Sequence, residues 1–91
     1  SSIYMIVPHR DEHLKLVENF ESQGNIIIGG SFFPNDGACF FFTCPDELTV
    51  DSFVKKDPYY KKGLVKEYDI KEIEMHTKKR ADELALYYKY R

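Results

Sequence analysis

The sequence predicts a small α+β domain with the ferredoxin-like order β-α-β-β-α-β, an antiparallel sheet and one further helix at the C-terminal end. Two observations lead to this fold class. Apolar, β-favouring runs alternate with stretches whose apolar residues recur at helical spacing. A Pro-Asn-Asp-Gly turn sequence at residues 34–37 joins the second and third runs into a hairpin.

The first strand and the first helix are predicted at the N-terminal end. Residues 3–7 form an apolar run that Pro8 ends. Asp11 can cap a helix that extends to about Gln23, and Gly24 stands where a helix commonly terminates. The apolar positions of this helix are Leu14, Leu16, Val17 and Phe20.

The second and third strands are predicted at residues 25–33 and 38–44. Gly29 and Gly30 interrupt the second strand, which indicates a β-bulge or the close approach of another group. The short turn between the two strands makes them antiparallel neighbours.

The second helix is predicted to begin just after Pro45, with Asp46 and Thr49 as alternative caps. Pro58 restricts the residue before it to extended backbone angles, so we expect this helix to end at Asp57. One further helical turn can follow Pro58.

The C-terminal third of the chain is predicted to hold a strand and a helix. The strand begins at residue 64 or 65 and ends near residue 75, with alternating polarity. Ala81, Leu84, Ala85 and Tyr88 lie on one face of a helix over residues 77–91. Residues 1–76 are thus expected to form the ferredoxin-like domain, and residues 77–91 a helical extension of it.

Composition narrows the class of protein. The 91 residues suit one domain, and a net charge of −2 gives no general attraction to nucleic acid or anionic membrane. No apolar run approaches the roughly 20 residues that span a bilayer. Cys39 and Cys44 lie too far apart in one strand to pair, and no spacing resembles a metal site. Two free thiols favour a reducing, cytoplasmic location.

The sheet is predicted to need cover on both faces. Residues 26–28 and 38–42 are all apolar. In a sheet with one face exposed to solvent, apolar and polar residues alternate along each strand. The two crossover helices land on one face only. Either a second subunit or the C-terminal helix must cover the other face. We expect a homodimer that packs sheet against sheet, with the C-terminal helix bracing it.

Chain connectivity brings a histidine and a distant carboxylate to one end of the domain. His13 lies in the first turn of the first helix, and Asp57 lies where the second helix ends, at the same end of the sheet. Imidazole is the side chain best suited to proton transfer near neutral pH, and a carboxylate on its other nitrogen fixes the tautomer. Arg10 can hold an anionic group of a substrate. Alternatively, Asp57 only accepts backbone N–H bonds at the helix break, and Asp36 is only a turn residue.

Several motifs resemble the YCII-related domain family of the dimeric α+β barrel superfamily. The matching segments are Arg10-x-x-His13-Leu14, the strand ending in Gly29-Gly30, Asp36-Gly37 and Asp57-Pro58-Tyr59 with Gly63-Leu64. The last of these is the most specific. Ser31 departs from the family pattern, since a proline is usual at its position.

The resemblance implies a ferredoxin-like homodimer, a small-molecule cleft and cofactor-free chemistry. It implies His13 and Asp57 as the catalytic pair, and we take Arg10, Ser31, Asp36 and Tyr59 as substrate-binding residues. The leading hypothesis is a lyase or isomerase that acts on a small cyclic or aromatic compound. The alternative is a domain that binds or senses a small molecule in the same cleft without catalysis.

A third hypothesis, an RNA-binding module, is disfavoured. Residues 36–42 resemble the aromatic strand of such modules, but a basic residue before Gly37 and an aromatic after it are both lacking. The negative net charge also opposes this function.

Overall fold

Helices cover one face of a four-stranded antiparallel sheet. The computed structural model describes residues 6–34, 36–77 and 82–91. The elements in chain order are α1 (Arg10–Ser22), β1 (Ile26–Ser31), β2 (Ala38–Cys44), α2 (Glu47–Lys56), α3 (Pro58–Lys61), β3 (Tyr68–Glu72) and β4 (Leu84–Tyr90). The strand order is β1-β2-β4-β3, so the last strand of the chain lies inside the sheet. The predicted α+β class is confirmed, and the sheet is compatible with a ferredoxin-like fold.

The predicted C-terminal helix is wrong, because residues 84–90 form strand β4. This strand pairs along its full length with β2, from Ala38 opposite Tyr90 to Cys44 opposite Leu84. Because β4 has a neighbouring strand on each side, its backbone N–H and C=O groups are paired. Leu86 and Tyr88 are buried. The tyrosines of this segment also favour the β conformation. The first half of the predicted helix falls partly on residues 78–81, which lie outside the described residues.

The predicted first strand is also wrong in the part that the structure describes. Ile6 has helical backbone angles, and Val7–His9 form a short 3-10 turn that leads directly into α1. Residues 3–5 of that prediction lie outside the described residues. The central part of the sheet is instead formed by β2 and β4.

Helix α1 confirms the predicted segment and its termination, but the predicted cap is wrong. The preceding 3-10 turn runs directly into the helix, so His9 takes the N-cap position without a side-chain hydrogen bond and Asp11 lies within the first turn. Gly24 has a positive φ of 81° and donates its N–H to the Glu21 carbonyl, while Asn25 donates to the Phe20 carbonyl. These two bonds form a Schellman motif, which needs a residue able to adopt the left-handed conformation. His13 and Phe20 lie seven residues apart, hence on one face, and both are buried.

The core lies between the helices and the inner face of the sheet. Phe53 of α2 is fully buried at its centre. Its ring contacts Phe20 of α1 at 5.1 Å and both Phe40 and Phe42 of β2 at 5.4 Å between ring centroids. Full burial of a phenylalanine contributes about 1.5–3 kcal/mol, so these rings dominate the docking of α2 on the sheet.

The chain breaks between α2 and α3 as predicted. α2 ends at Lys56, Asp57 adopts an extended conformation, and Pro58 begins α3. Asp46 takes the N-cap position of α2, which decides between the two predicted caps, although its side chain makes no capping hydrogen bond. Gly63 follows α3 with a positive φ of 71°.

The pairing of β1 with β2 shows why a glycine is needed at residue 29. Its register with β2 shifts between Ile26 and Ile28, so the bulge falls before the glycines rather than at them. Gly29 lies opposite Phe40, and a Cβ atom at Gly29 would overlap the Phe40 ring. Gly30 has no neighbour within 4 Å of the same position. The close approach expected at this pair therefore applies to Gly29 alone.

The outer sheet face is uncovered by the helices. The register places Ile28, Phe41 and Tyr87 side by side on it, with the Phe41 and Tyr87 rings stacked at 6.5 Å. Ile28 is 61% exposed. Cys39 and Cys44 are both free thiols, as predicted. No helix in the described segments has the length and apolar character needed to cross a bilayer.

Gly29→Ala should destabilise the fold by about 1–3 kcal/mol, because the new methyl group must push the buried Phe40 ring out of place. Gly30→Ala is the matched control. It should leave the free energy of unfolding unchanged or raise it slightly, since Ala restricts the unfolded chain. Urea unfolding measures both, and an equal loss in the two variants would contradict this account of the strand.

Candidate functional site

His13 and Asp57 meet in a buried hydrogen bond. The distance between His13 Nδ1 and Asp57 Oδ1 is 2.9 Å, across 44 residues of sequence. His13 is 6% exposed and Asp57 is fully buried. Connectivity alone predicted only a shared end of the domain, and the structure brings the two side chains into direct contact.

Asp57 also caps a helix with the same oxygen atom. Its Oδ1 accepts the backbone N–H of Tyr59 at 2.9 Å, which satisfies one of the donors at the start of α3. The two interpretations of Asp57 in the sequence, helix-break cap and histidine partner, therefore hold together. Its Oδ2 is buried and has no hydrogen-bond partner among the described residues.

The contact with Asp57 defines the histidine tautomer. A carboxylate only accepts hydrogen bonds, so His13 Nδ1 carries the hydrogen and donates it. The Nε2 atom then holds the free lone pair of the neutral ring, and His13 is among the residues that line a cavity. A ring in this state can accept a proton from a molecule in that cavity.

Aromatic rings fix the orientation of the imidazole. Tyr59 stacks on it with ring centroids 4.1 Å apart and an interplanar angle of 15°. Phe40 and Tyr90 approach the imidazole from the inner face of the sheet, with ring centroids 6.1 and 6.5 Å from that of the imidazole. The imidazole is thus held by one hydrogen bond and by rings from α3, β2 and β4.

The cavity beside His13 has a volume of about 620 Å³, within the range of small-molecule sites. Each residue that we predicted to bind substrate contributes to its wall, namely Arg10, Ser31, Asp36 and Tyr59. Asp57 does not line it and reaches it only through His13. Leu14, Val17, Leu64 and Val65 supply apolar surface.

Other lining residues were missed in the sequence. Phe40, Lys66, Tyr90 and Arg91 line the same cavity. The last two belong to the segment that we predicted as a helix. The dense run of β-favouring aromatics at Tyr87, Tyr88 and Tyr90 suits a buried strand better than a surface helix, but it does not show which strands this segment pairs with.

Burial keeps the tyrosines of this region protonated. The pKa values of Tyr59, Tyr88 and Tyr90 are all raised, chiefly by burial. The negative charge of Asp57 raises each of them further, while the Arg10 guanidinium lowers that of Tyr59. At neutral pH these phenols therefore stay protonated.

The described part of the chain contains no group of three or more His, Cys, Asp or Glu side chains arranged to hold a metal ion. The residues that line the cavity with the imidazole include Arg10, Lys66 and Arg91, the acidic Asp36 and Glu67, and the hydroxyl-bearing Ser31.

Comparison with known families identifies the family of this chain. The family model of the YCII-related domain matches residues 6–74. The chain belongs to the YCII-related family. Searches among curated proteins and among solved structures gave no significant match. The match ends before β4, so the strand that carries Tyr90 and Arg91 lies outside the part of this YCII-related chain that the family model covers.

Asp57→Ala should lower the free energy of unfolding by about 2–4 kcal/mol, because it removes the cap of α3 and leaves the buried His13 N–H unpaired. Asp57→Asn keeps an oxygen acceptor and should recover part of this loss. Urea unfolding measures both variants.

Asp51→Ala is the control for the Asp57 substitutions. Asp51 pairs with Lys55 at 3.1 Å on the surface of α2, and exposed pairs contribute at most about 1 kcal/mol. An equal effect at the two positions would contradict the structural role of Asp57.

Proposed function

We propose that this YCII-related domain is a cofactor-independent enzyme of the lyase or isomerase type that acts on a small cyclic or aromatic metabolite. The observation that supports this most strongly is the buried His13–Asp57 pair at the wall of a cavity of about 620 Å³. In this proposal His13 is the general base and acid, Asp57 orients it, and Arg10, Ser31, Asp36 and Tyr59 bind the substrate.

The proposed step is the transfer of a proton from a substrate carbon to His13 Nε2. The electron pair of the broken C–H bond forms a new carbon–carbon double bond in the substrate, and one bond at the neighbouring carbon breaks at the same time. In an isomerase, that bond is the π bond of an adjacent carbon–carbon double bond, whose electron pair takes the proton back from the imidazolium at its far carbon. In a lyase, that bond joins the neighbouring carbon to a leaving group, which departs with the electron pair and can take the proton. Asp57 stabilises the imidazolium that exists between the two events.

The alternative is a domain that binds or senses a small molecule without changing it. The cavity supports this function as well, because its volume and apolar walls suit a ligand whether or not chemistry follows. The two functions differ in whether protons on the ligand exchange.

The test is a screen of small cyclic acids, ketones and phenols in D₂O, followed by NMR for deuterium incorporation and by mass spectrometry for product. His13→Ala should reduce the rate on a compound that reacts by about 10²–10⁴-fold, the usual contribution of a positioned acid or base. His9→Ala is the matched control, since His9 lies one turn earlier in the chain and does not line the cavity.

Turnover that survives His13→Ala unchanged would remove His13 from the mechanism. Tight binding of a compound that is recovered unaltered and without deuterium would favour the sensing function instead.

We further propose that two copies pair through their outer sheet faces as a dimeric α/β barrel in a reducing, cytoplasmic environment. The exposed Ile28 beside the stacked Phe41 and Tyr87 rings supports this pairing, since apolar patches of this kind mark association surfaces. Free thiols at Cys39 and Cys44 suit the environment.

Ile28→Lys should convert the dimer to a monomer in sedimentation velocity at about 10 μM, because two lysines would face one another in a desolvated contact. Leu48→Lys is the control. Leu48 is 70% exposed on α2, on the opposite side of the sheet, and its substitution should leave the dimer intact. A wild-type monomer, or a dimer that Ile28→Lys does not weaken, would contradict this interface.

A further inference from the structure

The cavity beside His13 carries positive charge that the protein does not neutralise. Arg10, Lys66 and Arg91 all line it, together with two acidic residues, Asp36 and Glu67. In the described segments the only ion pairs are His13 with Asp57 and Lys55 with Asp51. Among the residues that the structure describes, no carboxylate oxygen therefore lies within 4 Å of the charged nitrogens of Arg10, Lys66 or Arg91.

The backbone of Arg91 is fixed at the end of the sheet. Its N–H donates to the Glu67 carbonyl at 3.0 Å, and its carbonyl accepts the N–H groups of Lys66 at 2.6 Å and Glu67 at 3.2 Å. These bonds continue the pairing of β4 with the segment that leads into β3. The starting point of the Arg91 side chain is thus set by the sheet itself.

The side chain of Arg91 crosses from this point to the β1–β2 hairpin. Its guanidinium carbon lies 5.7 Å from the centre of the Phe32 ring, a cation–π contact. Gly37 packs against the Arg91 side chain. A Cβ atom at Gly37 would lie 3.1 Å from Arg91 Cγ and would overlap the Tyr90 carbonyl oxygen. The hairpin therefore leaves room for the arginine, and an aromatic ring supports its charged end.

Arg10 supplies a second guanidinium from a different element. It lies three residues before His13 on α1, on the same side of the helix. Its positive charge lowers the pKa of Tyr59, whose ring stacks on His13. A ligand next to the imidazole thus lies in a cavity that is lined by one arginine from α1 and by another that directly follows β4.

We propose that Arg91, with Arg10, binds the carboxylate of the substrate, so that the natural ligand is a small aromatic or alicyclic acid and Arg91 is a specificity-determining residue. Guanidinium groups match carboxylates with paired hydrogen bonds. The apolar lining formed by Leu14, Val17, Leu64 and Val65 suits the ring that carries the acid. This inference extends the proposed function by giving the chemical class of its substrate.

Binding of benzoate and benzamide tests the inference, because the two probes share a shape and differ in charge. Amide shifts of Gly29 and Gly30, which line the cavity, report binding in ¹H–¹⁵N spectra. Wild type should prefer benzoate by about tenfold or more, and Arg91→Gln should remove most of this preference. Arg91→Lys keeps the charge without the planar fork and should give an intermediate preference.

Lys89→Gln is the matched control. It removes the same charge from the same strand, but Lys89 lies beside Cys39 on the outer sheet face, away from the cavity. The preference for benzoate should survive this substitution. Melting temperatures of all variants confirm that they remain folded, since the hydrogen bonds of residue 91 come from its backbone.

Four results would overturn the inference. The first three are equal affinity of wild type for benzoate and benzamide, no binding of benzoate up to about 10 mM, and an equal loss of preference in Arg91→Gln and Lys89→Gln. Inorganic phosphate that binds as tightly as benzoate would also overturn it, because an anion without a ring would then be the better ligand.

The titrations repeated in His13→Ala separate this inference from the proposed catalysis. Suppose that His13→Ala still prefers benzoate and that wild type turns over no acid in the screen. The ligand class would then be upheld and the enzymatic function rejected. Suppose instead that wild type turns over a neutral compound and that Arg91→Gln leaves this rate unchanged. The enzymatic function would then be upheld and the ligand class rejected.

Discussion

One oxygen atom, Oδ1 of Asp57, joins the fold to the candidate site. It accepts the His13 Nδ1–H from α1 and the Tyr59 N–H that begins α3, both at 2.9 Å. Pro58 makes this possible, because it forces Asp57 out of the helical conformation and turns its side chain into a cap for the next turn. A fully buried carboxylate is costly unless donors meet its charge, and these two donors satisfy Oδ1 while Oδ2 has no partner among the described residues. The helix break, the tautomer of the histidine and the position of the Tyr59 ring therefore depend on the same atom.

The aromatic core extends this constraint into the sheet. Phe40 contacts both Phe53 in the core and His13 at the site, so the ring that helps to dock α2 also forms the support of the imidazole. Gly29 leaves the space that Phe40 occupies, and Tyr90 approaches the imidazole from β4. A site built in this way is rigid because its supports are core residues. Substitutions that loosen the core near Phe40 are accordingly expected to affect stability and the site together.

Local sequence signals predicted much of this structure, and they failed where distant pairing decides the outcome. The end of α1 at Gly24, the return strand after the hairpin and the break at Pro58 each follow from one residue's backbone preferences, so they could be predicted. Residues 84–90 satisfy helical spacing through Leu84, Ala85 and Tyr88, yet they form a central strand because β2 and β3 flank them on both sides. No local pattern reveals that pairing. The same failure hid Arg91, whereas His13 and Asp57 were found because both stand at helix ends that connectivity brings together.

The most direct test of the central contact is the tautomer of His13, measured by long-range ¹H–¹⁵N correlation NMR in the pH range where the ring is neutral. The structure predicts a protonated Nδ1 with a slowly exchanging proton and an unprotonated Nε2, because the carboxylate of Asp57 can only accept. The same spectrum of Asp57→Ala should lose this proton signal. A ring protonated at Nε2, or one that averages between the two tautomers in wild type, would contradict the contact on which the site is built.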